Sequence, residues 1–163
     1  MTSKPRRFSD IRASFVPATT EEYEHIRHLK KTQDEWLDTF YRIVSKQNIS
    51  LILLCGTCLG VVRDKAIIEG DTDADYGIYI QDLPALHACV DELKQAGIYI
   101  SGRSKFQISF SLPNTTFYID IWPIKRMNIV ARGLGIYWLC DHVYYRQNFF
   151  ENVQPIVFQK KQH

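Results

Sequence analysis

Asp71-Thr72-Asp73-Ala74-Asp75-Tyr76-Gly77-Ile78-Tyr79-Ile80 is the stretch from which the fold is read. Three carboxylates stand at i, i+2 and i+4, and an apolar run follows at once. In extended backbone, side chains alternate faces, so Asp71, Asp73 and Asp75 all point the same way. Like charges gathered on one face repel unless something neutralises them, and a hard divalent cation held by oxygens does so. Tyr76 to Ile80 has the composition of a buried strand, which places the acids at the mouth of a rigid sheet. Two plainer readings compete. A solvated acidic loop does not ordinarily run straight into an apolar strand. A calcium loop is approached by the spacing Asp71, Asp73, Asp75, Ile78 and Asp82. It fails at its sixth position, where Tyr76 stands and the sharp turn needs glycine.

Working outward, Leu51 to Cys55 is a continuous apolar run with the pattern of a strand buried on both faces. Gly56-Thr57 breaks it, and Cys58 to Arg63 predicts a short helix or turn. Upstream, Thr19 with Glu22 forms a capping box. From there Tyr23, Ile26, Leu29, Gln33, Trp36, Leu37, Phe40, Ile43 and Val44 keep helical spacing, which predicts one long amphipathic helix ending near Gln47-Asn48. Residues 1 to about 18 read as an irregular arm. Downstream, Leu83 to Ala96 is a helix stopped by Gly97, and Ile98 to Ser101 is a strand. Lys105 to Leu112 and Thr116 to Ile124 form a hairpin about Pro113-Asn114. Pro155 to Phe158 is a last strand. Asp120 is out of place, since it interrupts an otherwise hydrophobic strand. Its alternatives are a buried ion pair with Arg103 or Lys105, or a share in the metal site of the triplet. An unpaired buried carboxylate is expensive, and the metal explains both features together. The second reading puts the strand of Asp120 beside that of Asp75.

The chain has 163 residues, 45% hydrophobic and 23% charged, with a net charge of +2. These are values of a single globular domain spanning 1–163, with no global attraction to nucleic acid. No apolar run has the length of a membrane span, and the N-terminus has no signal-peptide core. A cytoplasmic setting with four reduced cysteines is expected. Cys55-Gly56-Thr57-Cys58 has CxxC spacing, but Cys55 ends an apolar run and is read as a core residue rather than half of a redox pair. Cys89, Cys140 and His142 lack the paired spacing of a zinc site. His87 is read as a surface residue of a helix.

Gly56-Thr57-Cys58-Leu59-Gly60-Val61-Val62-Arg63, then Asp71 to Ile78, then Phe117-Tyr118-Ile119-Asp120-Ile121-Trp122-Pro123 together resemble the LicD/fukutin family. Its pattern is roughly G-T-L-L-G-x-x-R, W-D-D-D-x-D-x-G and a later apolar-D-I-F-P. Gly70 stands where that pattern has Trp, and Thr72 where it has its second acid. The resemblance implies a nucleotidyltransferase-like α/β (α+β) fold, a mixed sheet flanked by helices. It implies Mg²⁺- or Mn²⁺-dependent transfer of a phosphorylated alcohol, such as phosphocholine or a polyol phosphate, from a CDP-activated donor to a glycan. By position, Asp73, Asp75 and Asp120 would be the catalytic, metal-binding carboxylates, with Asp71 as a further acid of the cluster. Gly56, Thr57 and Arg63 would contact the donor phosphates. Two other functions fit the same residues: a nucleotidyltransferase using an NTP on another acceptor, and a non-catalytic cation-binding domain.

Overall fold

The computed structural model describes residues 14–22, 32–104, 106–112, 115–133, 138–140 and 143–145. The expected arm up to residue 13, residues 23–31, the turn at 113–114, His142 and the strand at 155–158 lie outside them.

The helix expected over the N-terminal third is divided. The capping box at Thr19 is present: its N–H donates to Glu22 Oε2 at 2.8 Å, and the Glu22 N–H donates to Thr19 Oγ1 at 3.2 Å. Thr32, however, has extended backbone (ψ 163°), so no helix passes through it, and a new helix α1 begins at Gln33–Val44. A second capping box starts α1. Thr32 N–H donates to Glu35 Oε2 at 2.7 Å and Glu35 N–H to Thr32 Oγ1 at 3.3 Å. Asp34 and Glu35 in the first turn and Arg42 in the last complement the helix dipole. Trp36, Leu37, Phe40, Ile43 and Val44 are its buried stripe, as their spacing predicts.

The sheet is mixed. Strands β1 (Ile52–Leu53), β2 (Asp73–Tyr79), β3 (Tyr99–Arg103), β4 (Ile108–Ser111) and β5 (Tyr118–Arg126) lie in the order β1-β2-β5-β4-β3, and β6 (Trp138–Cys140) and β7 (Val143–Tyr145) extend it from the far end of β5. β1 is antiparallel to β2, and β4 to both its neighbours, but β2 and β5 are parallel. β1 is much shorter than the apolar run 51–55. Helix α2 takes over at Cys55–Asp64, which absorbs Gly56 and Thr57 into its first turn. The expected helix over 83–96 is present as α3 (Leu83–Ala88) and α4 (Val90–Gln95), interrupted at Cys89. A short α5 spans Ile129–Gly133.

Alternation sorts the sheet into two faces. Ala74, Tyr76 and Ile78 of β2, Ile119 and Ile121 of β5, Ile108 and Phe110 of β4 and Ile100 of β3 pack in one cluster with α1, α3 and α4. The opposite face carries Asp73 and Asp75 at one end. At the other end Ile52, Ile124, Trp138 and Cys140 form a second, smaller cluster. The helices cover one face of the sheet and leave Asp73 and Asp75 on the other.

Candidate active site

The parallel pairing of β2 with β5 builds the site. Its register sets Asp73 opposite Tyr118, and Asp75 opposite Asp120. Residues 45 apart in sequence thereby become direct cross-strand neighbours on one face. Asp73, Asp75 and Asp120 each offer a carboxylate oxygen, and these oxygens lie within 4.8 Å of one another. The acids do not merely sit at the strand's mouth; Asp73 and Asp75 belong to β2 itself. Asp71 precedes the strand. Its Oδ1 accepts from the Thr72 N–H at 3.1 Å, in a turn closed by Asp71 N–H donating to the Ile68 carbonyl at 3.0 Å.

Asp120 is 8% exposed, and its Oδ1 is buried with no hydrogen-bond partner. An orphaned carboxylate oxygen is costly to bury. Here it faces two more carboxylates. Burial, then the charge of Asp75, then that of Asp71 push Asp73 up to about 6. Burial raises Asp75 too, opposed by a hydrogen bond from Trp122 and reinforced by the charge of Asp120. Three hard oxygen donors, mutually repelling and one of them unsatisfied, form a set that could hold a metal ion.

Helix α2 aims its N-terminus at this cluster. Thr57 is buried, and its Oγ1 accepts from the Asp75 N–H at 2.8 Å. Asp71 Oδ2 lies 3.1 Å from where a Cβ on Gly56 would be, so glycine allows that close approach. Leu54 provides no side-chain cap, which leaves first-turn N–H groups of α2 for other acceptors. Cys55 opens the helix with φ 47°, a left-handed conformation rarely adopted by a side-chain-bearing residue. It is exposed and not a core residue as its apolar run suggests. Its thiol donates to the Asp75 carboxylate; burial and the charges of Asp75 and Asp73 push its pKa up, the reverse of a reactive thiolate. Cys55 and Cys58 are both free thiols.

Arg63 is not brought to the acids by its own contacts. It lies more than two turns along α2, exposed, with Nε donating to Asp64 Oδ1 at 2.9 Å and Nη2 to Asp64 Oδ2 at 2.6 Å. Trp122 is a site residue that sequence reasoning passed over. Its indole Nε1–H donates to Asp75 Oδ1 at 2.7 Å. A tryptophan in an apolar strand reads as packing, and its partner is far away in sequence, so no local signal marks it.

The family described as LicD/FKTN/FKRP, nucleotidyltransferase domain, matches residues 48–162. The chain belongs to this family. The match takes in α2, β2 and β5, which carry Asp73, Asp75, Asp120 and Trp122 of the site, and Asp71 just before β2. Membership points to a transferase of the phosphotransferase or nucleotidyltransferase kind. Comparison with curated proteins gives no match. Among solved structures, a crystal structure of ANT(2″)-Ia in complex with adenylyl-2″-tobramycin is 15% identical with a TM-score of 0.48, over 61% of this chain and 53% of that one. A solution structure of the antibiotic-resistance factor ANT(2″)-Ia is also 15% identical with a TM-score of 0.48, over 71% of this chain and 52% of that one. The LicD-family chain thus spans about half the length of the solved structures it matches, and a likeness this distant carries no activity across. Among the described residues, no helix is long and apolar enough to cross a membrane.

Proposed function

We propose that this LicD-family domain, a single unit over 1–163, is a metal-dependent transferase that moves a phosphorylated alcohol from a CDP-activated donor to a hydroxyl of a glycan-like acceptor. The observation that carries the reading is the convergence of Asp73, Asp75 and Asp120 within 4.8 Å, with Asp120 Oδ1 buried and unpartnered. A bound Mg²⁺ or Mn²⁺ would neutralise phosphate charge as it develops. Asp73 and Asp75 would hold that ion, with Asp120 as third ligand and Asp71 at the margin. Asp120 also takes the proton of the acceptor hydroxyl, since a base beside the attacking oxygen assists this step. The acceptor oxygen then bonds to the phosphorus that carries the alcohol, the bond to the bridging oxygen breaks, and CMP leaves. Gly56 and Thr57, in the uncapped first turn of α2, lie where a donor phosphate can accept backbone N–H bonds. Arg63 contributes only if its guanidinium leaves Asp64 for the phosphate.

The family's own description as a nucleotidyltransferase domain favours a second reading, use of an NTP on a different acceptor. Thermal unfolding with CDP, CTP, ATP and UTP, each with and without Mg²⁺, separates the two when followed by assays of phospho-alcohol and nucleotidyl transfer. CDP with Mg²⁺ is expected to stabilise most and CDP-alcohols to be consumed. Consumption of NTPs alone moves the function to the second reading. Metal binding without any turnover leaves a cation-binding domain.

A further inference from the structure

Asp75 is held through both its backbone and its side chain. Its N–H donates to Thr57 Oγ1 at 2.8 Å, and its carbonyl accepts from the Leu54 N–H at 3.1 Å. That fixes the backbone. The side chain is oriented by Trp122, whose indole Nε1–H donates to Oδ1 at 2.7 Å, and the weaker thiol donor of Cys55 also reaches the carboxylate. Trp122 is paired in register with Gly77, not with Asp75, so the indole reaches diagonally along the face to find this oxygen. The rest of the ring packs against the second apolar cluster, which gives the donor a firm footing. An indole N–H is a donor only and carries no charge. It can therefore orient a carboxylate without neutralising it, which a lysine or arginine at this place could not do.

Outer hydrogen bonds to a ligating carboxylate set its orientation and tune the metal. They also decide how many of its oxygens are available. Mg²⁺ takes near-octahedral sites with one oxygen from each carboxylate, whereas Ca²⁺ readily takes both oxygens of one group. We propose that Trp122 is a positioning and specificity-determining residue: by engaging Oδ1 it restricts Asp75 to its other oxygen and selects a Mg²⁺-sized cation over Ca²⁺. The inference rests on the metal site proposed above.

Calorimetric titration of the full chain with Mg²⁺ and with Ca²⁺, in wild type and Trp122→Phe, tests it. The phenyl ring keeps an aromatic packing surface and removes the N–H, though it is smaller than the indole. Mg²⁺ affinity is expected to fall by about 10-fold or more, the scale on which losing a hydrogen bond to a metal-ligating group acts, while Ca²⁺ affinity falls less or rises, so the Mg²⁺/Ca²⁺ preference narrows. Unchanged Mg²⁺ affinity, or an equal loss for both ions, overturns the proposal while leaving the metal site intact. A wild type that binds neither ion removes the metal site itself, and this role with it. Should Trp122→Phe not fold, ¹⁵N-labelled wild type supplies the answer. Of the indole signals of Trp36, Trp122 and Trp138, that of Trp122 is expected to move most on saturation with Mg²⁺; a stationary signal while calorimetry registers binding overturns the proposal.

Discussion

Asp120 is a carboxylate that an apolar strand has no reason to contain, and its placement opposite Asp75 gives it one. Asp120→Asn keeps its size and removes charge and basicity. Turnover is expected to drop by roughly 10²-fold or more, the scale of general-base contributions, while nucleotide binding persists; an unimpaired variant in a single-turnover assay would remove Asp120 from the chemistry. Asp73 makes a different prediction. Burial and the neighbouring charges of Asp75 and Asp71 raise it from 3.8 to about 6. The folded chain thus binds this proton more tightly than the unfolded one. The stability it contributes is fully present below the unfolded value and is lost as pH rises through about 6. Metal-free wild type should therefore lose more stability than Asp73→Asn between about pH 4 and pH 7. Parallel Tm profiles for the two would contradict the assignment. The acids were legible in sequence because each breaks a pattern: a same-face triplet before a strand, and a lone charge inside one. Trp122 breaks none. Arg63 was legible only through the family signature, and its pairing with Asp64 is a fact of the fold that a signature does not carry.

At the scale of elements, the Thr57 side chain ties α2 to the backbone of β2. Thr57→Val keeps the shape and removes the hydroxyl that satisfies the Asp75 N–H. A part-buried donor left unpaired costs about 1–3 kcal/mol, so denaturant unfolding should register a loss of that size, and Mg²⁺ affinity should fall with it as Asp75 loosens. A variant as stable as wild type would mean that the helix is not anchored this way. Gly60 packs α2 against the connection that leads to β2, since a Cβ there would lie 2.6 Å from the Ala66 carbonyl. The elements themselves were legible where periodicity ran long, as in the stripe from Trp36 to Val44 and the alternation of β4. Boundaries were less so. The apolar spacing from Tyr23 to Val44 continues across Thr32, whose Thr-x-x-Glu box with Glu35 repeats that of Thr19 with Glu22 and marks a second helix start. The run 51–55 looked like a whole strand because nothing in it shows that Cys55 turns to φ 47° and begins a helix. Which strands pair was outside local pattern altogether. The hairpin of β4 and β5 followed from their closeness in sequence, whereas β2 met β5 only on the argument that their acids need a common partner.

For the whole molecule, the sheet and its helices are expected to unfold as one unit, with a single cooperative transition by circular dichroism and by tryptophan emission. Mg²⁺ at about 100 times its dissociation constant should then stabilise by about 2.7 kcal/mol, seen as a rise in Tm that Asp75→Asn abolishes. Two separate transitions would divide the chain, and a rise retained in Asp75→Asn would place the ion elsewhere. The parallel alignment of β2 and β5 has one further effect. Between the two strands the chain makes α3, α4, β3 and β4, and only then returns to slip β5 in beside β2. A pairing so remote along the chain is among the slower contacts to form. A cation held as proposed would therefore lack its third carboxylate in a half-made molecule, and would not serve as a template around which the chain gathers. Stopped-flow experiments should find that Mg²⁺ slows unfolding and leaves the refolding rate unchanged: the proposed ion would act as a latch on a finished protein, and a chain still emerging from synthesis, with β5 yet to come, would have no site to close.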